Sequence, residues 1–465
     1  MVSEDSPLLT STAHETIYDR FAPDQKRWIV FIVSFAGLLP MFVSSTFVPS
    51  IPQIAKDLGS THAIVSLTVS LSILATAVGS LVWAAYSSFY GRRSMYLWGM
   101  PFLCIGSCGV AMSTSLRSLL FWRFVQTFGC SGGIPLGAGV IGDIYKLEER
   151  GLLLEYSLAT LFGFAVAPLL GGAAAQYWSW RNLHYSIAVW GLLELFLVYL
   201  SFPETSHPGT LGIDKLKRRR WIHSHMGKSS EQSLVAPESE SICGRECIHG
   251  MLASTLVLIT DFVLLVPLAF TIGARYGITN EAIIGACFLP NGLGNFIGAP
   301  VAGRLSDIVV KRWRKKRNGV WFPEDRLRAT WIGGLVMIPL SIGASGLITT
   351  YVGGPVGLCL NLLCLFTNGM GVDFVFNPIG SYNVDVAHSR SAEATAASAA
   401  IRSFILSAAT ALIIPSIERI GVAWTNIIAA VLAIIGQGII FLTIRYGDRM
   451  RASVDVGLST IENNS

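Results

Sequence analysis

Apolar runs long enough to cross a lipid bilayer make up most of this chain, and they limit its fold more than any other feature. A membrane-spanning helix needs about 20 predominantly apolar residues, and roughly a dozen such runs follow one another with short polar connections. Only 14% of the residues are charged, against roughly a quarter in a soluble domain. Because lipid cannot hydrogen-bond to the backbone, and because runs of about 20 residues have the length of a spanning helix, we expect each run to be helical. We therefore expect an all-α membrane protein.

The predicted spans form two sets of six. They occupy residues 28–47, 64–83, 95–112, 118–141, 152–174 and 183–202, and then 250–272, 282–303, 329–349, 355–377, 392–414 and 423–444. We expect a disordered cytoplasmic tail at residues 1–27, followed by a six-helix bundle at 28–202. A cytoplasmic hinge loop at 203–249 then leads to a second six-helix bundle at 250–444 and a cytoplasmic tail at 445–465.

The distribution of positive charge predicts the orientation. Of the 34 Lys and Arg residues, five fall in the loops of one side and two lie inside spans; the other 27 fall in the tails and in the loops of the opposite side. Loops rich in Lys and Arg stay in the cytoplasm, so we expect both termini there. This charge gives no reason to expect nucleic-acid binding. An acidic dileucine motif at residues 4–9 leaves a vacuolar or endosomal membrane as the alternative to the plasma membrane.

A repeated motif indicates two homologous halves. The second span ends with Gly79 and Ser88 followed by the run Gly91, Arg92 and Arg93. The eighth span carries Gly298 and Asp307 at the positions that match Gly79 and Ser88, with Arg304 between them, and the basic run 311–317 is expected to be the loop that follows. We therefore predict two pseudo-symmetric bundles with equivalent gating loops.

Ionisable residues inside the spans are the candidate site residues, because each is costly in hydrocarbon without a partner or a wet cavity. They are Arg123, Glu194, Asp261, Asp373 and Arg402. Each has a functional interpretation, in proton coupling or in recognition of substrate charge, and a structural one, as a buried interhelical contact. Further polar residues are candidates for lining a cavity: Gln126, Asn291, Asn295, Asn361 and Asn368.

Nothing in the sequence indicates an enzyme or a resident cofactor. No nucleophile–base pair or metal spacing stands out, and Cys243 and Cys247 have no companion ligands. The chain also lacks the Gly-rich phosphate loop of ATP-driven transporters. We therefore expect no metal and no cofactor, with a proton gradient as the energy source.

Several motifs resemble those of a known family. Trp122 to Gln126 with Gly129 is similar to the fourth-span motif of the major facilitator superfamily, whose Arg is implicated in proton transfer. The segment with Gly163, Pro168, Gly171 and Gly172 is similar to the fifth-span antiporter motif, and residues 202–208 resemble the segment after the sixth span. Together with the gating motif, these resemble the fungal twelve-span drug:proton antiporters of the quinidine-resistance type.

The resemblance implies twelve helices around a central cavity, and proton-coupled export of a drug, xenobiotic or secreted metabolite by a monomer in the bilayer. Ser88 stands where the family's gating motif has Asp, and Ala167 where the antiporter motif has Gly. Either hydroxyl hydrogen bonds hold the first gate or the motif has drifted. An importer is the first alternative. A non-transporting sensor is the second, although the predicted cytoplasmic segments are short for one.

Overall fold

The computed structural model describes residues 20–145, 152–206, 211–214, 216, 245–320, 322–387 and 391–452. All regular elements in that part of the chain are helical, which confirms the predicted fold class. The dileucine motif and most of the predicted hinge loop lie outside the described residues. The boundaries of the predicted tails and of the hinge loop therefore stay predictions.

The described residues form twelve helical spans, with six in each half. They are α1 Pro23–Asp57, α2 His62–Tyr90, α3 Arg92–Ala111, α4 Leu116–Ile144, α5 Leu152–Tyr177, α6 Trp180–Ser201, α7 Ile248–Gly273, α8 Glu281–Lys316, α9 Pro323–Tyr351, α10 Gly354–Ala387, α11 at 391–420 and α12 at 422–452. The last two are separated at Gly421, whose φ of 84° is not helical.

The largest departure from the predicted boundaries is in α8. The basic run 311–317 was expected to be a loop, but α8 continues through it to Lys316. Lys and Arg are good helix formers, and positive side chains in the last turn are favoured by the helix dipole. The helix ends just before Asn318 and Gly319, which have φ values of 54° and 101°.

Consecutive spans run in opposite directions, so α1 begins at the same side of the bundle where α8 ends. We call this side the basic face, because it carries Arg92, Arg93 and the run 311–317. The opposite side, where α1 ends near Asp57 and α6 begins at Trp180, is the far face.

Three hydrophobic clusters show how the halves meet. One cluster near the far face contains residues of both halves, including Phe47 and Trp180 with Ile272 and Ile413. The other two lie near the basic face, and each belongs to one half. A core shared at one face and divided at the other is the arrangement expected of a central cavity that opens to the basic face.

Polar and backbone contacts also join the halves toward the far face. The Ser70 hydroxyl donates to the Ser407 carbonyl oxygen at 2.6 Å, and the Ser407 hydroxyl donates to the Ser70 carbonyl oxygen at 2.8 Å. Between α5 and α8 the backbones themselves touch. A Cβ atom added to Gly172 would lie 2.9 Å from the Gly285 Cα. This closeness holds the far face shut.

We expect Gly172→Ala to open the far face, because the added methyl group cannot fit against the α8 backbone. Spin labels on the exposed residues Lys56 and Arg275, one in each half, should report a longer distance by double electron–electron resonance. Gly303→Ala is the matched control, because a Cβ there meets nothing within 4 Å. Identical distance distributions in the two variants would contradict the proposed role of this contact.

Candidate functional site

The first candidate site is a group of buried residues around Arg123 in the first half, which we call the arginine cluster. Its members come from α1, α3, α4 and α6: Phe47, Ser107, Arg123, Gln126 and His184. All are at most 1% exposed. A cation this deep in a membrane protein requires compensating contacts from its own chain.

Arg123 obtains those contacts from several directions. Its Nη1 donates to the Val43 carbonyl oxygen at 3.1 Å and to the Gln126 Oε1 at 2.9 Å. Its guanidinium lies over the Phe47 ring, 4.2 Å from the centroid, in a cation–π contact. The Arg123 Nε has no hydrogen-bond partner among the described residues. Part of the guanidinium therefore remains available to another acceptor.

The amide of Gln126 connects Arg123 to two further helices. Its Nε2 lies 2.8 Å from the Ser107 Oγ on α3 and 3.2 Å from the His184 Nδ1 on α6. Arg123 and Gln126 were both predicted site residues, and the structure places them together. Sequence reasoning missed His184, because a single His near the start of a span carries no motif.

The second candidate site, which we call the carboxylate cluster, lies in the second half. Its members are Asp261 on α7, Asn291 and Asn295 on α8, and Asp373 on α10, and all four are buried. The Asn291 Nδ2 donates to the Asp261 Oδ1 at 2.7 Å, and the Asn295 Nδ2 donates to the Asn291 Oδ1 at 3.4 Å. Four predicted residues from separate parts of the sequence thus form one site.

Oxygen acceptors without partners are the distinguishing feature of the carboxylate cluster. Asp373 packs against α8 beside this group: a Cβ added to Gly298 would lie 3.3 Å from the Asp373 Cβ, and one added to Gly369, one turn before Asp373, would lie 3.1 Å from the Asn295 Oδ1. The Asp373 Oδ2 and the Asn295 Oδ1 are buried with no hydrogen-bond partner in the described part of the chain. Neither carboxylate forms an ion pair with a described Lys or Arg. Such a site favours a proton or another hydrogen-bond donor.

Two other predicted site residues form no hydrogen bond or ion pair with the described members of either cluster. Glu194 is fully buried on α6, one turn from Gly191, which packs against Leu103 and Cys104 of α3. Both of its carboxyl oxygens lack a hydrogen-bond partner among the described residues. Arg402 is half-buried on α11, and its guanidinium lies 4.8 Å from the Phe376 ring centroid.

Asn361 and Asn368 serve local networks of the second half. Asn361 accepts from the Ser345 and Thr349 hydroxyls at 2.8 and 3.2 Å, and it donates to the Tyr276 hydroxyl at 2.9 Å. With a second donation, to the Gly357 carbonyl oxygen at 3.2 Å, all four hydrogen-bonding positions of the side chain are used, which favours the structural interpretation. Asn368 donates to the Ser341 hydroxyl at 3.3 Å, and its Oδ1 has no partner in the described residues.

The antiporter-type motif forms close contacts with two other helices. An added Cβ at Gly163 would lie 2.6 Å from the Leu38 Cδ2, and one at Gly171 would lie 2.6 Å from the Thr46 Cα, both on α1. Pro168 and Gly172 face Gly285 of α8. The motif therefore lies at the contact between the halves, where movement of one bundle against the other must begin.

The gating residues of the first half lie at the basic face. Gly79 lets α2 approach α4, since an added Cβ would lie 2.9 Å from the Phe128 carbonyl oxygen. Gly91 has a φ of 97°, and α3 begins directly after it. The Arg92 Nε pairs with the Asp143 Oδ2 at 3.1 Å, and its Nη1 donates to the Ser87 hydroxyl at 2.7 Å.

The Ser88 hydroxyl does not replace the missing gating carboxylate. It is exposed, and its hydrogen bond at 3.4 Å goes to the Ala84 carbonyl of the same helix. Instead, the Glu204 carboxylate accepts from the backbone N–H groups of Arg92 and Arg93 at 2.9 and 3.1 Å. The sequence alone does not place Glu204 here, because more than 100 residues separate it from Arg92 and Arg93.

In the second half, Arg326 is the centre of the equivalent contact. It pairs with Asp307 at 3.0 Å and also with Asp385 of α10. Arg304, the other predicted gating residue of this motif, is exposed and forms no ion pair with the described residues. Gly298 packs against α10, where an added Cβ would lie 3.0 Å from the Met370 Cα.

Comparisons with known proteins place this geometry in context. A family model described as the Major Facilitator Superfamily matches residues 33–413. The chain is 28% identical over 446 residues to the efflux pump radE of Floropilus chiversii, an alignment that covers 92% of this chain and 82% of radE. It is 33% identical over 181 residues to the MFS antiporter QDR3 of Candida albicans, covering 39% of this chain and 26% of QDR3.

A solved structure shares the fold. It is that of a bacterial homologue of the human lysosomal transporter Spinster, in an inward-facing and unoccupied conformation. The TM-score is 0.68 at 13% sequence identity, over 92% of this chain and 99% of that one.

We expect Glu204→Ala to lower stability by about 1 kcal/mol, because the carboxylate caps two N–H groups at the start of α3 and complements the helix dipole. The change should appear as a lower thermal unfolding midpoint of the purified protein. Glu418→Ala is the control, because Glu418 is exposed at the far end of α11. Equal midpoints for the two variants would show that the cap is dispensable.

Proposed function

The chain belongs to the Major Facilitator Superfamily of secondary transporters, and on that basis we propose that it exports a small organic molecule in exchange for protons. Membership makes it a transporter rather than an enzyme. The names of its relatives support export, since radE is an efflux pump and QDR3 an MFS antiporter, both from fungi. The substrate would be a drug, another xenobiotic or a secreted metabolite.

The observation that carries the proton coupling is the pair of buried carboxylates, Asp261 and Asp373, without a cationic partner among the described residues. Two ionised carboxylates close together in a buried site are strongly unfavourable. A proton on one of them removes that cost. Protonation of this cluster therefore changes the free energy of every conformation in which the two carboxylates are buried.

Alternating access converts this proton binding into transport. In the structure the far face is closed and the halves have separate cores at the basic face. In this state the protein would release its proton to the basic face and take up substrate. Rocking about the contact between α5 and α8 would then expose substrate to the far face, where a proton replaces it.

The remaining features of the proposal follow from charge and composition. The basic face would be cytoplasmic, with both termini on that side, as the positive-inside rule indicates. The protein would work as a monomer in the plasma membrane, with the vacuolar or endosomal membrane as the alternative. It would need no cofactor beyond the proton gradient.

The experiment that tests the proposal is an efflux assay in cells with and without the gene. The panel consists of labelled drugs, polyamines and organic acids, each measured with and without a protonophore. We expect the gene to increase efflux of at least one compound and the protonophore to abolish that increase. Faster accumulation in cells that carry the gene would favour an importer and overturn the proposal.

We expect Asp261→Asn to abolish uphill efflux while the exchange of labelled for unlabelled compound continues. The amide keeps the size of the side chain, but it cannot gain or lose a proton. Glu418→Gln, an exposed carboxylate at the far face, serves as the control and should leave both activities unchanged. Gradient-driven efflux by Asp261→Asn at the normal rate would remove Asp261 from the coupling role.

A further inference from the structure

The hydrogen bonds around Gln126 fix the protonation state of His184. Because Arg123 can only donate, the oxygen of the Gln126 amide must point toward Arg123. The NH₂ group then points toward Ser107 and His184. An NH₂ group can only donate, so the His184 Nδ1 must accept. His184 is therefore neutral in this state, with its proton on Nε2.

Ser107 supports this orientation of the amide independently. Its hydroxyl donates to the Leu103 carbonyl oxygen at 2.7 Å, so its oxygen is left to accept from Gln126. If the amide were turned over, its NH₂ group would face the Arg123 guanidinium, where neither group can accept. Two independent contacts thus exclude the reversed amide.

We propose that His184 is a positioning residue of transport: its unprotonated Nδ1 holds the Gln126 amide, which in turn holds Arg123, so that a proton on His184 releases Arg123. The proton would bind the lone pair of Nδ1, and the only interaction lost directly is the hydrogen bond from Gln126. The N–H formed at Nδ1 would then point at the N–H of the amide. The network cannot satisfy both donors.

Charge acts in the same direction as the hydrogen bonds. The Phe47 ring is close to both residues, with its centroid 4.2 Å from the Arg123 Cζ and 6.1 Å from the centroid of the His184 ring. A protonated His184 would therefore be a second cation in a buried site. From the other elements packed here, α3 supplies the neutral Ser107. The ion pair of Asp57 with Arg181 and the indole of Trp180, which donates to Asp57, lie at the far-face end of α6.

The position of His184 determines which side would supply the proton. It lies one turn from the start of α6, next to Trp180, and is 1% exposed with the far face closed. Opening of the far face is the movement that would bring water to it. Arg123 would then be released in the outward-open state. This release would take place in the first half, whereas the carboxylate cluster lies in the second.

Two substitutions separate the acceptor function of His184 from its packing. In His184→Asn the side-chain oxygen takes the place of Nδ1 as acceptor, but the amide does not titrate. In His184→Phe the ring remains between Phe47 and Trp180, but the acceptor is lost. A purely structural role would be served better by the aromatic ring, so the two interpretations predict opposite orders of activity.

The first measurement is ¹⁵N NMR of the full chain in lipid nanodiscs, labelled at histidine, with the His184 resonances assigned by their loss in His184→Asn. We expect the neutral form with the proton on Nε2 at about pH 7.5. A proton on Nδ1, or a charged ring, would overturn the proposal. This result does not depend on transport.

The second measurement is uptake of rhodamine 6G into proteoliposomes driven by an imposed proton gradient, between about pH 5.5 and 8. We expect His184→Asn to keep the wild-type rate near neutral pH but to lose part of its pH dependence. We expect His184→Phe to lose about tenfold or more of the activity, because one N–H of the buried Gln126 amide is left without an acceptor. Equal pH profiles in wild type and His184→Asn, or an active His184→Phe, would overturn the proposal.

The inference rests on the proposed function only for this second readout. If wild-type protein shows no gradient-driven uptake of rhodamine 6G or of any compound in the efflux panel, the proposed function fails. The NMR result then decides by itself whether His184 holds Gln126 through an unprotonated Nδ1. If wild-type uptake is proton-driven and the variants behave like wild type, only the inference about His184 fails.

Discussion

A polar group inside a membrane protein must find its partners within the chain, and the structure is arranged around that requirement. Arg123 is held by a backbone carbonyl, by Gln126 and by the face of Phe47. Among the described residues, Asn291 is the hydrogen-bond partner of Asp261. The first half thus holds a cation that is hydrogen-bonded and packed on an aromatic ring, whereas the second holds two carboxylates in a site where acceptor oxygens lack a partner among the described residues. A proton or a substrate can bind to those oxygens.

Close backbone packing supplies the second constraint. Lipid gives no hydrophobic drive for helices to associate, so they adhere where small residues let their backbones meet. Gly172 and Gly285 provide such a contact between the halves, and Gly163 and Gly171 provide it between α5 and α1. Because these contacts lie toward the far face, the halves can pivot there. The separate cores near the basic face let each bundle move as a body.

The sequence was sufficient for the twelve spans and for most members of both clusters, because apolar run length and buried charge are local signals. It was insufficient for α8, where helix propensity carried the helix through the basic run. It also missed His184 and Glu204, whose partners are distant in sequence. Glu194 shows the opposite limit: its position inside a span is readable from the sequence, but only the structure shows that both of its buried carboxyl oxygens lack a hydrogen-bond partner among the described residues.

The two gates show how a lost residue is compensated by the geometry around it. With Ser88 in place of a carboxylate, Arg92 is held by Asp143 from α4, and the start of α3 is capped by Glu204 from beyond α6. In the second half, Asp307 keeps its role but pairs with Arg326 rather than with Arg304. Each gate therefore joins different helices, although the motifs are related. The consequence is an asymmetric transporter: the first gate ties α3 to the segment after α6, while the second ties α8 through Arg326 to α10.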